Sequence, residues 1–282
     1  MAVTGRPPNL LNPLNLLNPL NLLNPLNLLN PLNLLNPLMK VAILGAAGRM
    51  GKMLCALAES NKDLELVARI DVADGYDKSW PAGTEAVVDF TFHAAVPANV
   101  EKAAEDGIAY VIGTTGLTAD EQARVDACLA KIPVVQAANY SLGVNLLLGL
   151  VKQAATVLGS EYDVEVVEMH HKHKKDAPSG TALMLARAAA EGRQVDFDAV
   201  ACYGRQGMTG ERPEGQIALH ALRGGSVVGD HTVMFAGDLE RVEITHKAQG
   251  RDAFAAGALR AALWAVGRKP GKYDVQNVLG FK

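Results

Sequence analysis

The densest chemistry in the chain is the run His170-His171-Lys172-His173-Lys174-Lys175-Asp176-Ala177-Pro178-Ser179-Gly180-Thr181. Three histidines and three lysines occupy six successive positions, which is too much charge for core material. Three chemistries compete for such a run. A metal site wants histidines at i, i+4 on a helix, or histidines with a positioned carboxylate. Neither arrangement is legible here, and three lysines would repel a cation, so no metal ligands are assigned. A nucleic-acid patch would be short, and the chain's net charge is −3, from 27 basic and 30 acidic side chains. A site for an anionic small molecule uses every residue type in the run. Lysine and histidine supply positive charge and a proton that titrates near neutral pH. Ser179, Gly180 and Thr181 fall where a helix begins, and hydroxyls and unpaired N–H groups there can hold a carboxylate. Pro178 fixes the approach to that helix.

A second group of residues reads as a dinucleotide site. Lys40–Leu44 is a short apolar, β-branched run, as expected of a buried parallel strand. It leads into Gly45-Ala46-Ala47-Gly48-Arg49-Met50-Gly51, and a helical pattern follows with Met50, Met53, Leu54 and Leu57 on one face. Strand, glycine loop and helix form the context in which a backbone can approach a pyrophosphate at a helix N-terminus. The spacing is G-x-x-G-x-x-G, a variant of the commoner fingerprint. A second strand, 64–70, ends at Asp71, placed to accept hydrogen bonds from the adenosine ribose. An acid at that point favours NADH over NADPH, whereas Arg49 could tolerate a 2′-phosphate.

These residues need elements to position them. Strands are expected at 86–90, 109–112 and 133–137, with helices at 94–106 and 120–130. That βαβ rhythm implies a doubly wound parallel sheet, whose ligands sit at the carboxyl ends of the strands. Phe90, Gly113, Thr114, Thr115, Ala138, Asn139 and Tyr140 fall at those ends and are candidates to line the nicotinamide half. A long apolar helix is expected over 142–158. The segment 163–169 alternates at period two, a half-buried strand running into the basic cluster. The segment 252–267 reads as an amphipathic helix.

Composition bounds the remainder. A chain of 282 residues, 49% hydrophobic and 20% charged, is globular and long enough for one large or two medium domains. No run of 18 apolar residues lacks a charge or breaker, so no membrane helix is expected. Cys55, Cys128 and Cys202 are few and widely spaced, which suits reduced thiols in a cytoplasm. Residues 9–38 are five copies of Asn-Leu-Leu-Asn-Pro-Leu, and 1–38 hold seven of the 13 prolines and one charge, Arg6. Proline at every sixth position excludes a continuous helix or central strand. The expectation is a disordered low-complexity extension, with a Leu-rich interaction arm as the alternative, and a well-patterned chain begins at Met39.

The segment Glu165-Val-Val-Glu168-Met-His170-His171-Lys-His-Lys174-Lys-Asp176-Ala-Pro178-Ser179-Gly180-Thr181-Ala182 resembles the E-[IV]-x-E-x-H-x-x-x-K-x-D-x-P-S-G-T-A signature of the dihydrodipicolinate (4-hydroxy-tetrahydrodipicolinate) reductase family. The glycine loop, Gly113–Gly116, Asn139–Asn145, Gly229–Phe235, Glu243–Ala248 and the helix Phe254–Trp264 fit as well. The resemblance runs from Met39 to about Val278. It implies an α/β fold: a Rossmann-type doubly wound parallel sheet over 39–140, completed by 252–282, and a smaller α+β substrate and oligomerisation domain over 141–251. It also implies hydride transfer from NADH or NADPH to a cyclic imine dicarboxylate, giving tetrahydrodipicolinate in the diaminopimelate route to lysine. The family's proton-donating histidine falls on His170, and its substrate-binding lysine, which assists protonation, on Lys174. A second carboxylate contact falls on His171, and the helix-start carboxylate site on Ser179, Gly180 and Thr181. Lys172, His173 and His246 are expected to be solvated or to act behind these. A cytoplasmic homotetramer is implied, with no nucleic-acid or membrane partner. Two stretches, 72–84 and 190–200, are shorter than in longer family members. An oxidoreductase for another substrate, such as another imine or an amino-acid dehydrogenase, and a non-catalytic nucleotide-binding regulator are the alternatives.

Overall fold

The computed structural model describes residues 37–71 and 80–281. The repeat up to Asn36 and most of the stretch after Asp71 lie outside the described residues, and with them the expectations made there.

Six strands form one fully parallel sheet: β1 (Met39–Leu44), β2 (Leu64–Ile70), β3 (Ala86–Asp89), β4 (Ala109–Ile112), β5 (Pro133–Gln136) and β11 (Gly271–Tyr273). Their order is β11-β5-β4-β3-β1-β2. In β1, β3, β4 and β5 the apolar runs are continuous because both faces are covered. Val41, Ile43, Val88 and Val111 enter the core beneath α1 (Arg49–Ser60) and α7 (Asp252–Ala265). Ala42, Leu44, Val87, Tyr110 and Ile112 enter the other core, beneath α2 (Val96–Asp106) and α3 (Ala119–Cys128). Successive side chains of a strand point to opposite faces, so one apolar strand serves two cores.

Helix boundaries follow local chemistry. The expected helix at 94–106 opens instead as a 3-10 turn over His93–Ala95, and α2 proper begins at Val96 with Pro97 in its first turn. It ends on Gly107 in the left-handed region at φ 70°. A capping box between Thr118 and Glu121 starts α3 one residue earlier than expected.

The second sheet is mixed, in the order β10-β9-β6-β8-β7. Its strands are β6 (Asp163–His170), β7 (Ala201–Tyr203), β8 (Ile217–Arg223), β9 (Asp230–Ala236) and β10 (Arg241–Lys247). One face packs on α4 (Leu142–Leu158) and α5 (Gly180–Arg193) around Leu147, Val151, Val164, Val166, Leu185, Val233 and Phe235. A short α6 (Phe197–Val200) leads into β7. The period-two pattern of β6 is realised: Val164, Val166, Glu168 and His170 are buried, and Asp163, Glu165, Val167 and Met169 occupy the opposite face. On that outer face Glu165 bonds Arg205, Arg212 and His220. Burial alone would raise its carboxyl, but the three basic partners hold it down to about 2. After α7, the chain returns to the first sheet as β11 and ends in α8 (Val275–Leu279).

The helix from Leu142, with the turn that follows it to Glu161, is long and apolar enough to cross a membrane by length and composition, with Lys152 inside it. A third of its most apolar window is buried against the rest of the chain, and α4 packs along α5, β9 and β10. The core helix of a globular protein meets the same criteria.

Candidate active site

The glycine loop lies where β1 delivers it. Gly45 has φ 79°, and a side chain there would stand 2.4 Å from the Phe90 carbonyl oxygen. At Gly51 an added Cβ would stand 2.0 Å from the Gly45 oxygen, so α1 sits directly on the loop. Gly48 caps α1 with no side-chain hydrogen bond, and no acidic residue stands in the first turn. The first N–H groups of this helix are thus left to an anion. Asp71 reaches the same loop, its Oδ2 accepting from the Ala47 N–H at 2.8 Å. Two adjoining hollows, about 610 and 470 Å³, open here. Gly45, Ala47, Gly48, Asp71 and Phe90 line the first, and Arg49, Met50, Thr91, Gly113, Thr114 and Thr115 line the second. Their size suits a nucleotide, and the uncapped helix start suits its pyrophosphate.

Beneath this edge lies a carboxylate that the sequence reading passed over. Asp89 is fully buried at the end of β3. It accepts from the Thr91 N–H and hydroxyl (2.9 and 2.6 Å), Asn99 (3.0 Å), the Tyr110 hydroxyl (2.6 Å) and the Thr114 hydroxyl (3.1 Å). It ties the ends of β3 and β4 together. The Thr114 hydroxyl is therefore turned inward.

The third expected edge behaves differently. Ala138 and Tyr140 line neither hollow. Tyr140 is buried, and its hydroxyl donates to the carbonyl oxygens of Ile112 and Val135. Burial pushes its phenol well above the usual range. Asn139 faces the other sheet: its Nδ2 donates to Thr181 Oγ1 at 3.2 Å. That bond brings the carboxyl end of β5 to the start of α5.

The basic run begins on β6 and leaves it as a turn. His170 is buried, and Lys172, His173 and Lys175 are exposed. Lys174 is half-buried, with Nζ 2.9 Å from Asp176. The Lys172 N–H donates to the Gly225 carbonyl, and the Gly224 N–H to the His170 carbonyl, so the loop after β8 holds this turn. Ser179 caps α5, its Oγ accepting from the Ala182 N–H. The Gly180 and Thr181 positions open the helix, with no acidic side chain in the first turn. His246 is not solvated: it is half-buried against Gly143, where an added Cβ would stand 2.7 Å from its ring. Burial lowers its readiness to protonate.

Three residues behind the run were not assigned roles from the sequence. Glu168 has a fully buried carboxylate, Arg223 stands on β8 and His231 on β9. The signal for Glu168 was its spacing: two residues before His170 on one strand places both side chains on one face. Size does not mark the site. A hollow of about 670 Å³ between α4, α5 and Phe281 contains none of these residues.

The comparisons agree with this architecture. The family description "Dihydrodipicolinate reductase, N-terminus" matches residues 39–140, and "Dihydrodipicolinate reductase, C-terminus" matches 143–279. A 4-hydroxy-tetrahydrodipicolinate reductase of Caulobacter vibrioides is 47% identical over 252 residues, covering 86% of this chain and 98% of that relative. One from Anaeromyxobacter dehalogenans is 46% identical over 267 residues, again covering 86% of this chain and 98% of the relative. In fold, the chain is similar to a dipicolinate-bound dihydrodipicolinate reductase from Paenisporosarcina sp. TG-14, with TM-score 0.69, 23% identity, and 86% and 99% of the two chains covered. Two family descriptions that together span the chain from Met39 to Leu279, with relatives near half identical along it, establish that it belongs to the dihydrodipicolinate reductase family.

Proposed function

We propose that the turn after β6 and the start of α5 carry out the family's reaction at named atoms. That reaction is the NAD(P)H-dependent reduction of 4-hydroxy-tetrahydrodipicolinate, a cyclic imine dicarboxylate, in the diaminopimelate route to lysine. The nicotinamide nucleotide, when bound, supplies the hydride. Hydride addition to a conjugated imine leaves electron density that an acid must quench. His170 is the proton donor, and Lys174 binds substrate and assists protonation. His171 contacts one carboxylate. Ser179, Gly180 and Thr181 receive a carboxylate at the start of α5, where the helix N–H groups meet it. The observation that carries this reading is the 3.2 Å bond from Asn139 to Thr181. It sets the substrate-side helix start against a strand end of the nucleotide-binding sheet, as hydride transfer between the two requires.

The test is NADH oxidation with substrate generated enzymatically, with pyridine-2,6-dicarboxylate as a competitor. Turnover that the planar dicarboxylate blocks is the expected result. A folded protein that turns over a different imine and ignores the competitor would favour the broader oxidoreductase reading.

The glycine loop, Asp71 and the strand-end residues are proposed as the nucleotide's contacts. Asp71 would bond the ribose hydroxyls and repel a 2′-phosphate. We expect NADH preference or dual use. The check is kcat/KM for both nucleotides at fixed salt, and strict NADPH dependence would remove the role given to Asp71.

The same reading divides the chain into a nucleotide-binding domain, 39–140 with 252–282, and a substrate and oligomerisation domain, 141–251. The outer face of the second sheet carries Val167, Met169 and Met234, with Leu222 half exposed. This face, with its apolar side chains beside the Glu165 ion network, is expected to pair with other copies and build a homotetramer. Sedimentation at micromolar concentration checks it, and a monomer would overturn it. The three free cysteines and the nucleotide substrates fit a cytoplasmic setting.

A further inference from the structure

Behind His170 lies a single buried carboxylate that holds two parts of the site at once. Glu168 Oε2 accepts from His170 Nδ1 at 2.6 Å. Glu168 Oε1 accepts from the Ser179 N–H at 3.0 Å, at the cap of α5. Arg223 closes the arrangement with a two-point grip, Nη1 to Oε2 at 2.8 Å and Nη2 to Oε1 at 2.9 Å. Arg223 is itself anchored by the Asp176 carbonyl, which accepts from its Nη2 at 2.7 Å. His231 stands edge-on to His170, ring centres 5.1 Å apart, and its Nε2 lies 3.1 Å from Ser179 Oγ. Among the described residues His170 Nε2 has no hydrogen-bond partner; it lies beside Gly229, where an added Cβ would be 3.0 Å away.

We propose that Glu168 is the positioning residue of the proton donor, gripping His170 through Nδ1 so that Nε2 is the atom that gives the proton, and tying it to the substrate-side helix start through Ser179. The proposal rests on the reading of His170 as that donor.

The chemistry requires such a partner. A neutral imidazole has two tautomers, and a carboxylate on Nδ1 selects the one with its proton there. The same carboxylate stabilises the imidazolium. Burial alone would raise the Glu168 carboxyl, but the bonds from Arg223, His170 and Ser179 outweigh it and leave it lowered. His231 is engaged elsewhere, its Nε2 lying 3.1 Å from Ser179 Oγ. Its burial and the nearby His170 push it down to about 4, so it is neutral at physiological pH. Among the described residues, the charged and titratable groups of this cluster are Glu168 against His170, Arg223 on β8 against Glu168, and His231 on β9, which itself feels His246 on β10 and Lys174 on the turn.

The experiment is a double-mutant cycle between Glu168→Gln and His170→Gln, read as kcat and KM. Glu168→Gln is expected to lower kcat on the order of 10²-fold. KM should change by only a few-fold. The double variant should match His170→Gln alone. A Glu168→Gln enzyme with wild-type rate, beside an impaired His170→Gln, overturns the proposal. So does a double variant slower than His170→Gln by the full single-variant factor. An unimpaired His170→Gln would instead sink the donor reading itself. If Glu168→Gln fails to fold, ¹⁵N NMR of the wild-type His170 ring decides. A neutral ring protonated on Nδ1 supports the proposal, and one protonated on Nε2 overturns it.

Discussion

Replacing His170 by glutamine is expected to lower kcat on the order of 10²–10⁴-fold while KM changes by only a few-fold. Glutamine fills a similar volume but carries no proton it can give to carbon or nitrogen at neutral pH. The carboxylate contacts proposed for Lys174, His171 and the α5 start would be retained, so binding of pyridine-2,6-dicarboxylate should persist within a few-fold. The result to measure is the initial rate of NADH oxidation at saturating substrate, beside a direct titration of the dicarboxylate. A wild-type rate would remove His170 from the chemistry. A loss seen only in KM would make it a binding residue, because removal of uniform binding leaves kcat unchanged.

Gly51→Ala is the second large effect, and it acts on the other half of the site. The added carbon would stand 2.0 Å from the Gly45 oxygen and 2.7 Å from the Ala46 Cα. Both are backbone atoms of the loop, so no side chain can swing aside. Either α1 lifts away from β1 or the glycine loop deforms. Leu54, Cys55 and Ala58, which α1 buries against the first sheet, resist the first. The expected outcome is roughly tenfold or greater loss of nucleotide affinity and a stability loss of about 1–3 kcal/mol. Fluorescence titration of the nucleotide and thermal melting measure the two. Gly48→Ala is the internal comparison: its nearest neighbour would be at 3.1 Å, and its effect should be milder. Unchanged affinity and melting in Gly51→Ala would mean that the helix is not seated on the loop as the structure has it.

Five of the six strands of the first sheet were legible, for a physical reason, and the short edge strand β11 was not. β1, β3, β4 and β5 are buried on both faces, so their residues read as unbroken apolar runs between glycines, prolines and helical segments, whereas β2 and β11 lie at the sheet's edges and are part exposed. The corrections were local: Pro97 and the Thr118 cap moved two helix starts. The second sheet was legible only at β6, where one face is buried and the alternation is clean. β10 is mostly exposed on both faces, and β8 is buried at one end only. Such strands are defined by their neighbours more than by their own pattern.

The site divides the same way. The amino-acid sequence by itself determined which groups are present and which element presents each: the histidines and lysines after β6, the hydroxyls and glycine at the start of α5, the glycine loop before α1. These depend on local order along the chain. Only the tertiary structure decided which groups meet. Asn139 reaches Thr181 because β5 ends beside α5, across 42 residues of chain. Arg223 grips Glu168 across 55 residues because β8 runs parallel to β6 with Arg223 opposite His170. His231 faces Glu168 because β9 runs antiparallel on the other side of β6. Strand pairing brings distant residues within hydrogen-bond reach only once the register is set. The register is set by packing of the whole inner face on α4 and α5, which no local pattern encodes.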